Sequence, residues 1–343
     1  MPQPSPEAGI SLCKYHRRFP DDRINCMVEP GSGILWLFKQ VHNYSRQNGE
    51  MMENHETSPA ARRIPRWSAR LLARLSQDQP PVVSRPDIAA YLVELGDRRD
   101  VDDTIRQLVR LAWLRPSPSQ GVWVFIPLGE DNLKDPYVSL RAWKAKSPDA
   151  VFALAGEAAA WHLGYLDRRF IGPPRVWIPE GDRLPFGARS RLATVHLGWN
   201  RDVTNRVGPS RALLRRRGLD LTQWAGGLAA FGPEALLAQL AIRPSSFQPW
   251  ADLTDHLQDL VGDCDMAALS DLLATQSPTA HQRAAYLAHI GGAAGLSDAM
   301  LDQRGDAPMP HVFLGARGAG VFASRFNVTD RLVAPRLLVA GKA

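Results

Sequence analysis

Arginine is concentrated in one stretch of the sequence, where its side chains could bind a polyanion. Eleven arginines, no lysine and seven acidic residues lie between Ala61 and Pro127, a local excess of four positive charges (11 − 7). The whole 343-residue chain has a net charge of only +6. A guanidinium group forms paired hydrogen bonds with a phosphate group or with the O6 and N7 atoms of guanine. The stretch therefore predicts contact with the backbone and base edges of a nucleic acid.

The candidate contact residues form three groups along this stretch. A predicted helix after Asp100 has Val101, Ile105 and Leu108 on its apolar face, so other side chains are expected to face solvent. We expect base contacts from this solvent face, and phosphate contacts from the preceding turn and from the segment around the first helix. The three groups are Thr104, Gln107 and Arg110 with Arg106 beside them; Arg98 and Arg99; and Arg62, Arg63, Arg66 and Arg70.

Five short elements are predicted to position these side chains, in addition to the helix after Asp100. They are a helix that starts at Pro65, a strand at Val82-Val83, a helix that Ser84 and Asp87 cap and Gly96 ends, and strands at Trp113–Arg115 and Val122–Ile126. Helix, strand, helix, turn, helix and a two-stranded hairpin is the order of a winged helix-turn-helix. The sequence therefore predicts that fold for residues 61–130.

Two further regions flank this unit. Residues 1–60 have no lasting helical or strand period, and Pro, Gly, Asn, Gln and Ser dominate Gln40–Pro59, so we expect a disordered extension. Met51-Met52 is the expected natural start of the polypeptide, and a flexible arm is the alternative. Residues 131–343 alternate helix and strand patterns, and the last segment, from Val312–Leu314 to Leu337–Val339, has a strand-like pattern. We expect these residues to form a larger mixed α/β domain, which makes the whole chain an α+β protein.

The arginine-rich unit also has a second interpretation. Winged helices serve as protein-interaction modules as well, and a charged helix face is commonly only solvated. Asp102 and Asp103 lie on the third helix and would repel phosphate, and the hairpin tip Ser117–Gln120 is short and uncharged. DNA binding is the favoured prediction, and a module that binds only protein is the alternative.

Motifs typical of enzymes and metal sites are absent from the sequence. It contains no G-x-S-x-G, H-E-x-x-H or paired-cysteine motif, and the spacing of its three cysteines suits neither a metal nor redox chemistry. We therefore expect no catalytic residues, no metal and no cofactor. No apolar run is long enough to span a membrane, so a cytoplasmic protein is expected. His162 on a small-residue helix is expected to be a core or interface residue, Arg215–Arg217 a solvated face, and Gly315–Gly320 a loop.

Several strings in the chain resemble the AbiEi antitoxins of type IV toxin–antitoxin systems, in their actinobacterial form. The resemblance extends in order from about Arg62 to Ala343. The strings that show it are Arg63–Trp67, Val101–Leu114, Gly121–Glu130, Asp135–Tyr137, Leu140–Trp143, Ala155–Asp167, Gly232–Leu237, Arg243–Phe247 and Pro249–Leu253.

The resemblance implies a function that the residues alone do not. AbiEi proteins join an N-terminal winged helix-turn-helix, which represses their own operon at inverted repeats in double-stranded DNA, to a C-terminal antitoxin domain. The second domain neutralises a nucleotidyltransferase-like toxin encoded nearby. The resemblance does not lead us to expect a stable complex in which the antitoxin blocks the toxin. The alternative is a winged-helix module that binds the toxin directly and recognises no specific DNA.

Overall fold

The computed structural model describes residues 62–130, 135–306 and 308–339. These residues form the mixed α+β structure that the sequence predicts. The predicted extension, residues 1–60 with the expected start at Met51-Met52, lies outside the described residues. We call residues 62–130 the N-terminal unit, and the described residues from 135 onward the C-terminal region.

The N-terminal unit contains three helices and a three-stranded antiparallel sheet. In chain order these are α1 (Ala69–Asp78), β1 (Val83–Ser84), α2 (Arg85–Glu94), α3 (Val101–Arg110), β2 (Leu114–Pro116) and β3 (Val122–Phe125). The strand order is β1-β3-β2, with Val83 opposite Trp123 and Arg115 opposite Val124. The sequence of elements agrees with the predicted one.

Local sequence explains where these helices begin and end. Ser84 and Asp87 form the predicted capping box at the start of α2, and the Asp100 carboxylate accepts a hydrogen bond from the Asp103 amide at the start of α3. Gly96 has φ +65° just after α2, in the left-handed region that suits glycine. Helix α1 begins at Ala69, because residues 66–68 form a turn instead of extending the helix back to Pro65.

The C-terminal region contains eleven helices and six strands within its described residues, apart from short 3₁₀ turns. Its first part contains α4 (Val138–Lys146), β4 (Ala153–Leu154), α5 (Gly156–Leu163), β5 (Arg175–Trp177), β6 (Ala193–Val195), α6 (Thr204–Val207) and α7 (Arg211–Arg216). A helical part follows with α8 (Pro233–Ile242), α9 (Trp250–Thr254), α10 (Leu257–Gly262), α11 (Met266–Leu273), α12 (Pro278–Ile290) and α13 (Ala294–Arg304). The last elements are β7 (Val312–Leu314), β8 (Val321–Ala323), β9 (Val328–Asp330) and α14 (Ala334–Val339).

Two small mixed sheets and a buried helix organise this region. In one sheet β5 pairs with β4 antiparallel and with β6 parallel, and in the other β9 pairs with β7 parallel and with β8 antiparallel. Residues 233–241 of α8 are all buried, which fits the near-continuous apolar sequence of that helix. The Trp177, Trp199 and Phe231 rings pack beside this core with centroids 5.9–6.1 Å apart.

The C-terminal end differs from its prediction. The run Leu337–Val339 was expected to continue a strand pattern, but it lies in α14. Asp330 explains the difference, since its fully buried carboxylate accepts hydrogen bonds from the amides of Leu332, Val333 and Ala334 at the start of that helix. The Tyr286 hydroxyl donates a fourth hydrogen bond to the same carboxylate, at 2.8 Å. A tertiary contact therefore decides the conformation of this segment.

Within the described ranges, no helix is both long enough and apolar enough to cross a bilayer.

Candidate nucleic-acid interface

Helix α3 presents a polar face to solvent. Arg106, Gln107 and Arg110 are all exposed, as predicted, while Ile105 and Leu108 are buried against α1 and α2. These three exposed side chains lie within one and a half turns of each other, so they share one side of the helix. The face can therefore offer two guanidinium groups and one amide to a ligand.

The prediction that Thr104 faces solvent is wrong. Its side chain is only 2% exposed, and its hydroxyl donates a 2.8 Å hydrogen bond to the carbonyl of Asp100. Thr104 precedes Leu108 by four residues, so both side chains lie on the same side of the helix. A short hydroxyl that bonds back to its own helix can be buried without loss of a hydrogen bond. Thr104 cannot reach a base edge from this position.

The acidic residues of α3 are engaged in ion pairs. Asp102 accepts two hydrogen bonds from Arg85 on α2, at 2.9 and 3.2 Å, and Asp103 pairs with Arg106. The Arg85 hydrogen bond lowers the pKa of Asp102, and the same bond raises the pKa of Arg85. These acids were expected to repel phosphate. Because each one lies against an arginine, the repulsion from this end of the helix is reduced.

The sequence analysis does not identify the role of Arg85. It is the first residue of α2, and it joins the first turns of α2 and α3 through the bidentate pair with Asp102. The two residues are 17 positions apart, so no helical spacing connects them. Only the packing of α2 against α3 reveals the contact.

Four other predicted arginines are exposed around α3 and α1. Arg63, Arg66, Arg70 and Arg98 are exposed, and none forms an ion pair with another described residue. The backbone of Arg63 is held in place, since its carbonyl accepts a 3.2 Å hydrogen bond from the indole of Trp113. Within the described part of the chain, no acid neutralises the charge of these four side chains.

The remaining two predicted arginines have local partners. The Arg99 guanidinium lies 4.6 Å from the ring centre of Trp67 and 3.5 Å from Asp97. Arg62 donates hydrogen bonds of 2.9 and 3.2 Å to the carbonyls of Ile126 and Pro127 at the end of β3. Nη1 of Arg62 therefore helps to hold the end of β3, and the phosphate contact of Arg62 stays a prediction.

The hairpin between β2 and β3 contacts the C-terminal region. A Cβ placed on Gly187 would lie 2.2 Å from the carbonyl oxygen of Pro118 at the hairpin tip. Ser119 in the same tip is buried. Such a close approach of two backbones requires glycine. The uncharged tip therefore packs against protein, which agrees with the expectation that it contributes little to ligand binding.

Exposed arginines also flank this contact on the C-terminal side. Arg183, Arg189 and Arg191 lie within nine residues of the sequence around Gly187, and none of them pairs with an acid in the described part of the chain. Asp182 is bound to Arg201 at 2.8 Å. The segment thus adds unneutralised positive charge next to the hairpin.

The other motifs singled out in the sequence have structural partners. His162 is half-buried, and its Nε2 lies 3.2 Å from the Tyr137 hydroxyl. Burial, Arg169 and Arg141 lower the pKa of His162 to about 4, so it is neutral at neutral pH. Arg216 and Arg217 of the basic run lie against Asp263, and Gly315–Gly320 forms the predicted loop between β7 and β8. Across residues 62–130, 135–306 and 308–339, no cluster of three histidine, cysteine or acidic side chains could hold a metal ion.

Comparison with known proteins assigns the chain to a family. The model of the AbiEi antitoxin C-terminal domain family matches residues 150–290, from just before β4 to the end of α12. The chain belongs to the AbiEi antitoxin family. This antitoxin is also similar to the RV2827C protein from Mycobacterium tuberculosis, whose crystal structure has 46% sequence identity and a TM-score of 0.73. That match covers 82% of this chain and 97% of that chain. A search of curated proteins gives no match.

The family assignment fixes the coarse role of the protein. The matched segment is the antitoxin domain, so the protein acts as the antitoxin of a toxin–antitoxin system. The N-terminal unit lies outside the matched segment, and its role has to be argued from its own residues.

Proposed function

We propose that this antitoxin binds double-stranded DNA upstream of its own gene, at inverted repeats, and represses its own operon. In this proposal the N-terminal unit is a winged helix-turn-helix in which α3 enters the major groove. Gln107 and Arg110 contact base edges, with Arg106 beside them, because these side chains share the exposed face of α3. The same proposal has the protein act in the cytoplasm, where the operon is.

The observation that carries the proposal is the distribution of unpaired charge. Arg63, Arg66, Arg70, Arg98 and Arg110 are exposed and lack an acidic partner among the described residues. Of the seven acids in residues 62–127, in contrast, five are held by arginines, and the other two cap helices. A face that is only solvated would not need its arginines to be unpaired while its acids are all paired or cap helices. A surface that binds phosphates does, because any unpaired carboxylate near the DNA would repel it.

The hairpin between β2 and β3, which is the wing of the proposed fold, differs from the rest of the proposed interface. Since the hairpin tip lies against Gly187 and has no charge, we assign it a role in fixing the orientation of the N-terminal unit. Arg183, Arg189 and Arg191 beside the contact would extend the positive surface along the DNA backbone. Each such arginine adds a nonspecific, salt-dependent contribution to affinity.

A titration of labelled upstream DNA with the full-length protein tests the DNA proposal. Arg98→Ala and Arg110→Ala should both weaken binding, and Arg110→Ala should also reduce discrimination against altered operators. Arg215→Ala is the matched control, since it removes the same charge from α7 in the C-terminal region. Equal affinities of wild type, Arg98→Ala and Arg110→Ala would refute the proposed interface.

The toxin is the second proposed partner. We propose, from the family resemblance, that it is a nucleotidyltransferase-like protein encoded nearby, and that neutralisation needs neither a stable complex nor catalysis by the antitoxin. Co-expression followed by affinity purification and intact-mass measurement of the toxin tests both points. A toxin that co-purifies would favour the alternative, a winged-helix module that binds the toxin directly. A toxin with an added chemical group would show that the antitoxin is an enzyme.

A further inference from the structure

A cleft in the C-terminal region is lined by two arginines and a tyrosine, none of which takes part in the proposed DNA contact. It is open to solvent and is lined by Tyr137, Glu157, Arg169 and Arg175, with Phe170 and the Gly172–Pro174 segment. A second, larger open cleft adjoins it and shares Arg169 and Phe170. The cleft lies between α4, α5 and β5, whose positions are fixed by the core.

Arg169 is held in place without being neutralised. Its guanidinium lies 5.4 Å from the ring centre of Tyr137 and 5.9 Å from that of Trp161. These cation–π contacts with two aromatic rings favour one position of the guanidinium while leaving its N–H donors available. Arg169 has no ion pair with any residue in the described ranges. A fixed, unpaired guanidinium at a cleft is suited to binding an anion.

Arg175 is positioned next to this group by a buried carboxylate. Glu157, 2% exposed, accepts hydrogen bonds from Arg175 Nε at 3.1 Å and Nη2 at 3.4 Å, and from the amide of Gln248 at 3.1 Å. The third nitrogen of Arg175, Nη1, has no partner among the described residues. Glu157 therefore neutralises Arg175 without using all of its donors, and the cleft retains the charge of Arg169.

The Tyr137 hydroxyl adds a third donor. Burial raises the pKa of Tyr137, so the hydroxyl stays protonated at neutral pH. Its oxygen lies 3.2 Å from Nε2 of the neutral His162. When the imidazole proton is on Nε2, His162 donates to the tyrosine oxygen, and the hydroxyl proton is left for a ligand.

We infer that this cleft is a binding site for a phosphate group, held by Arg169, Arg175 Nη1 and the Tyr137 hydroxyl. The source is either inorganic phosphate or a nucleotide, whose nucleoside would extend into the adjoining cleft beside Phe170 and Pro249. The site is independent of the proposed DNA contact, since it uses no residue of the N-terminal unit.

Calorimetric titration of the full-length protein tests the inference, with inorganic phosphate in one arm and adenosine monophosphate in the other. Wild-type protein should bind at least one of the two ligands saturably, with one site per chain. Arg169→Ala should weaken binding about tenfold or more, because it removes a charge-assisted pair of donors. Tyr137→Phe keeps the ring under Arg169 and should weaken binding less, by about threefold to tenfold.

Arg201→Ala is the matched control. Arg201 is an exposed arginine that pairs with Asp182 at 2.8 Å and lines neither cleft, so affinity should stay within about twofold of wild type. Unchanged unfolding temperatures would show that the variants are folded. Binding of the nucleotide alone, lost in Arg169→Ala, would assign the cleft to nucleotides. Absence of saturable binding in both arms, or equal affinities of wild type and Arg169→Ala, would overturn the inference.

Discussion

The contact between the hairpin and the C-terminal region can be tested with a single methyl group. In Gly187→Ala the new Cβ would lie 2.2 Å from the Pro118 carbonyl oxygen and 3.1 Å from its carbon. Ordinary van der Waals contact begins at 3.4 Å, so the two backbones must separate by about 1.2 Å. The atom that it meets belongs to the backbone, so no rotation of a side chain relieves the clash.

The expected result is a loss of stability together with a change in DNA binding. Forcing an extra carbon into a packed contact destabilises a protein by about 1–3 kcal/mol. If the hairpin separates from Gly187 instead, the N-terminal unit loses the contact that fixes its orientation. Affinity for a long DNA fragment should then fall more than affinity for a short half-site, because only the long fragment reaches Arg189 and Arg191.

Denaturant unfolding and DNA titration of the same samples measure both effects. Gly208→Ala is the control, because a Cβ there meets no atom within 4 Å and its φ of −70° is accessible to alanine. Gly208→Ala should leave stability unchanged or raise it by about 0.4–1 kcal/mol. If Gly187→Ala unfolds and binds DNA like this control, the hairpin contact is not present in solution and the assigned role of the wing is wrong.

The remaining predictions concern single side chains. Arg110→Ala should weaken operator binding by about 1–3 kcal/mol and relax sequence preference, whereas Arg66→Ala should weaken binding to all sequences alike and flatten the salt slope by about one, both measured by gel shift. Thr104→Val should leave the preferred sequence unchanged and destabilise the fold by no more than about 1.5 kcal/mol, because only one buried hydrogen bond is lost. Asp330→Ala removes the acceptor of four hydrogen bonds and should destabilise the fold by about 3 kcal/mol or more in urea unfolding. Burial and nearby arginines lower the pKa of His162 to about 4 in the folded protein, whereas an unfolded histidine titrates near 6.5. As the pH falls, the unfolded chain therefore takes up the proton first, and the free energy of unfolding should fall between about pH 6.5 and pH 4. In His162→Gln this fall should be smaller, as measured by urea unfolding at each pH.

The elements of the N-terminal unit could be predicted because local sequence determines them. Ser84 and Asp87 form a reciprocal cap that needs only three residues of separation, and the spacing of Ile105 and Leu108 marks the buried side of α3. The family strings likewise gave an assignment that the match to residues 150–290 confirms.

Two predictions are wrong, one because side-chain polarity was used to predict exposure and the other because β-propensity was used to predict a strand. Thr104 is polar and was expected to be exposed, but its hydroxyl bonds to its own helix and its angular position coincides with that of Leu108. Leu337–Val339 has a strand-like sequence, but Asp330 starts a helix there. In both cases the deciding contact involves geometry that a one-dimensional pattern does not contain.

Long-range contacts of the candidate site could not be predicted at all. Nothing in the sequence relates Arg85 to Asp102, or the tip residue Pro118 to Gly187. Both contacts depend on how separate elements pack together. They also change the interpretation of the site, since the first reduces repulsion from α3 and the second withdraws the hairpin tip from the ligand.

The central proposal, that this antitoxin recognises its own operator through the N-terminal unit, is tested most directly by fluorescence anisotropy. The full-length protein is titrated onto labelled DNA from upstream of its gene and onto a scrambled fragment of equal length and composition, at several salt concentrations. We predict operator binding at least about a thousandfold tighter than scrambled binding, with a salt slope of about −0.9 for each phosphate contact. Equal affinity for the two fragments, or no measurable binding to either, would contradict the proposal.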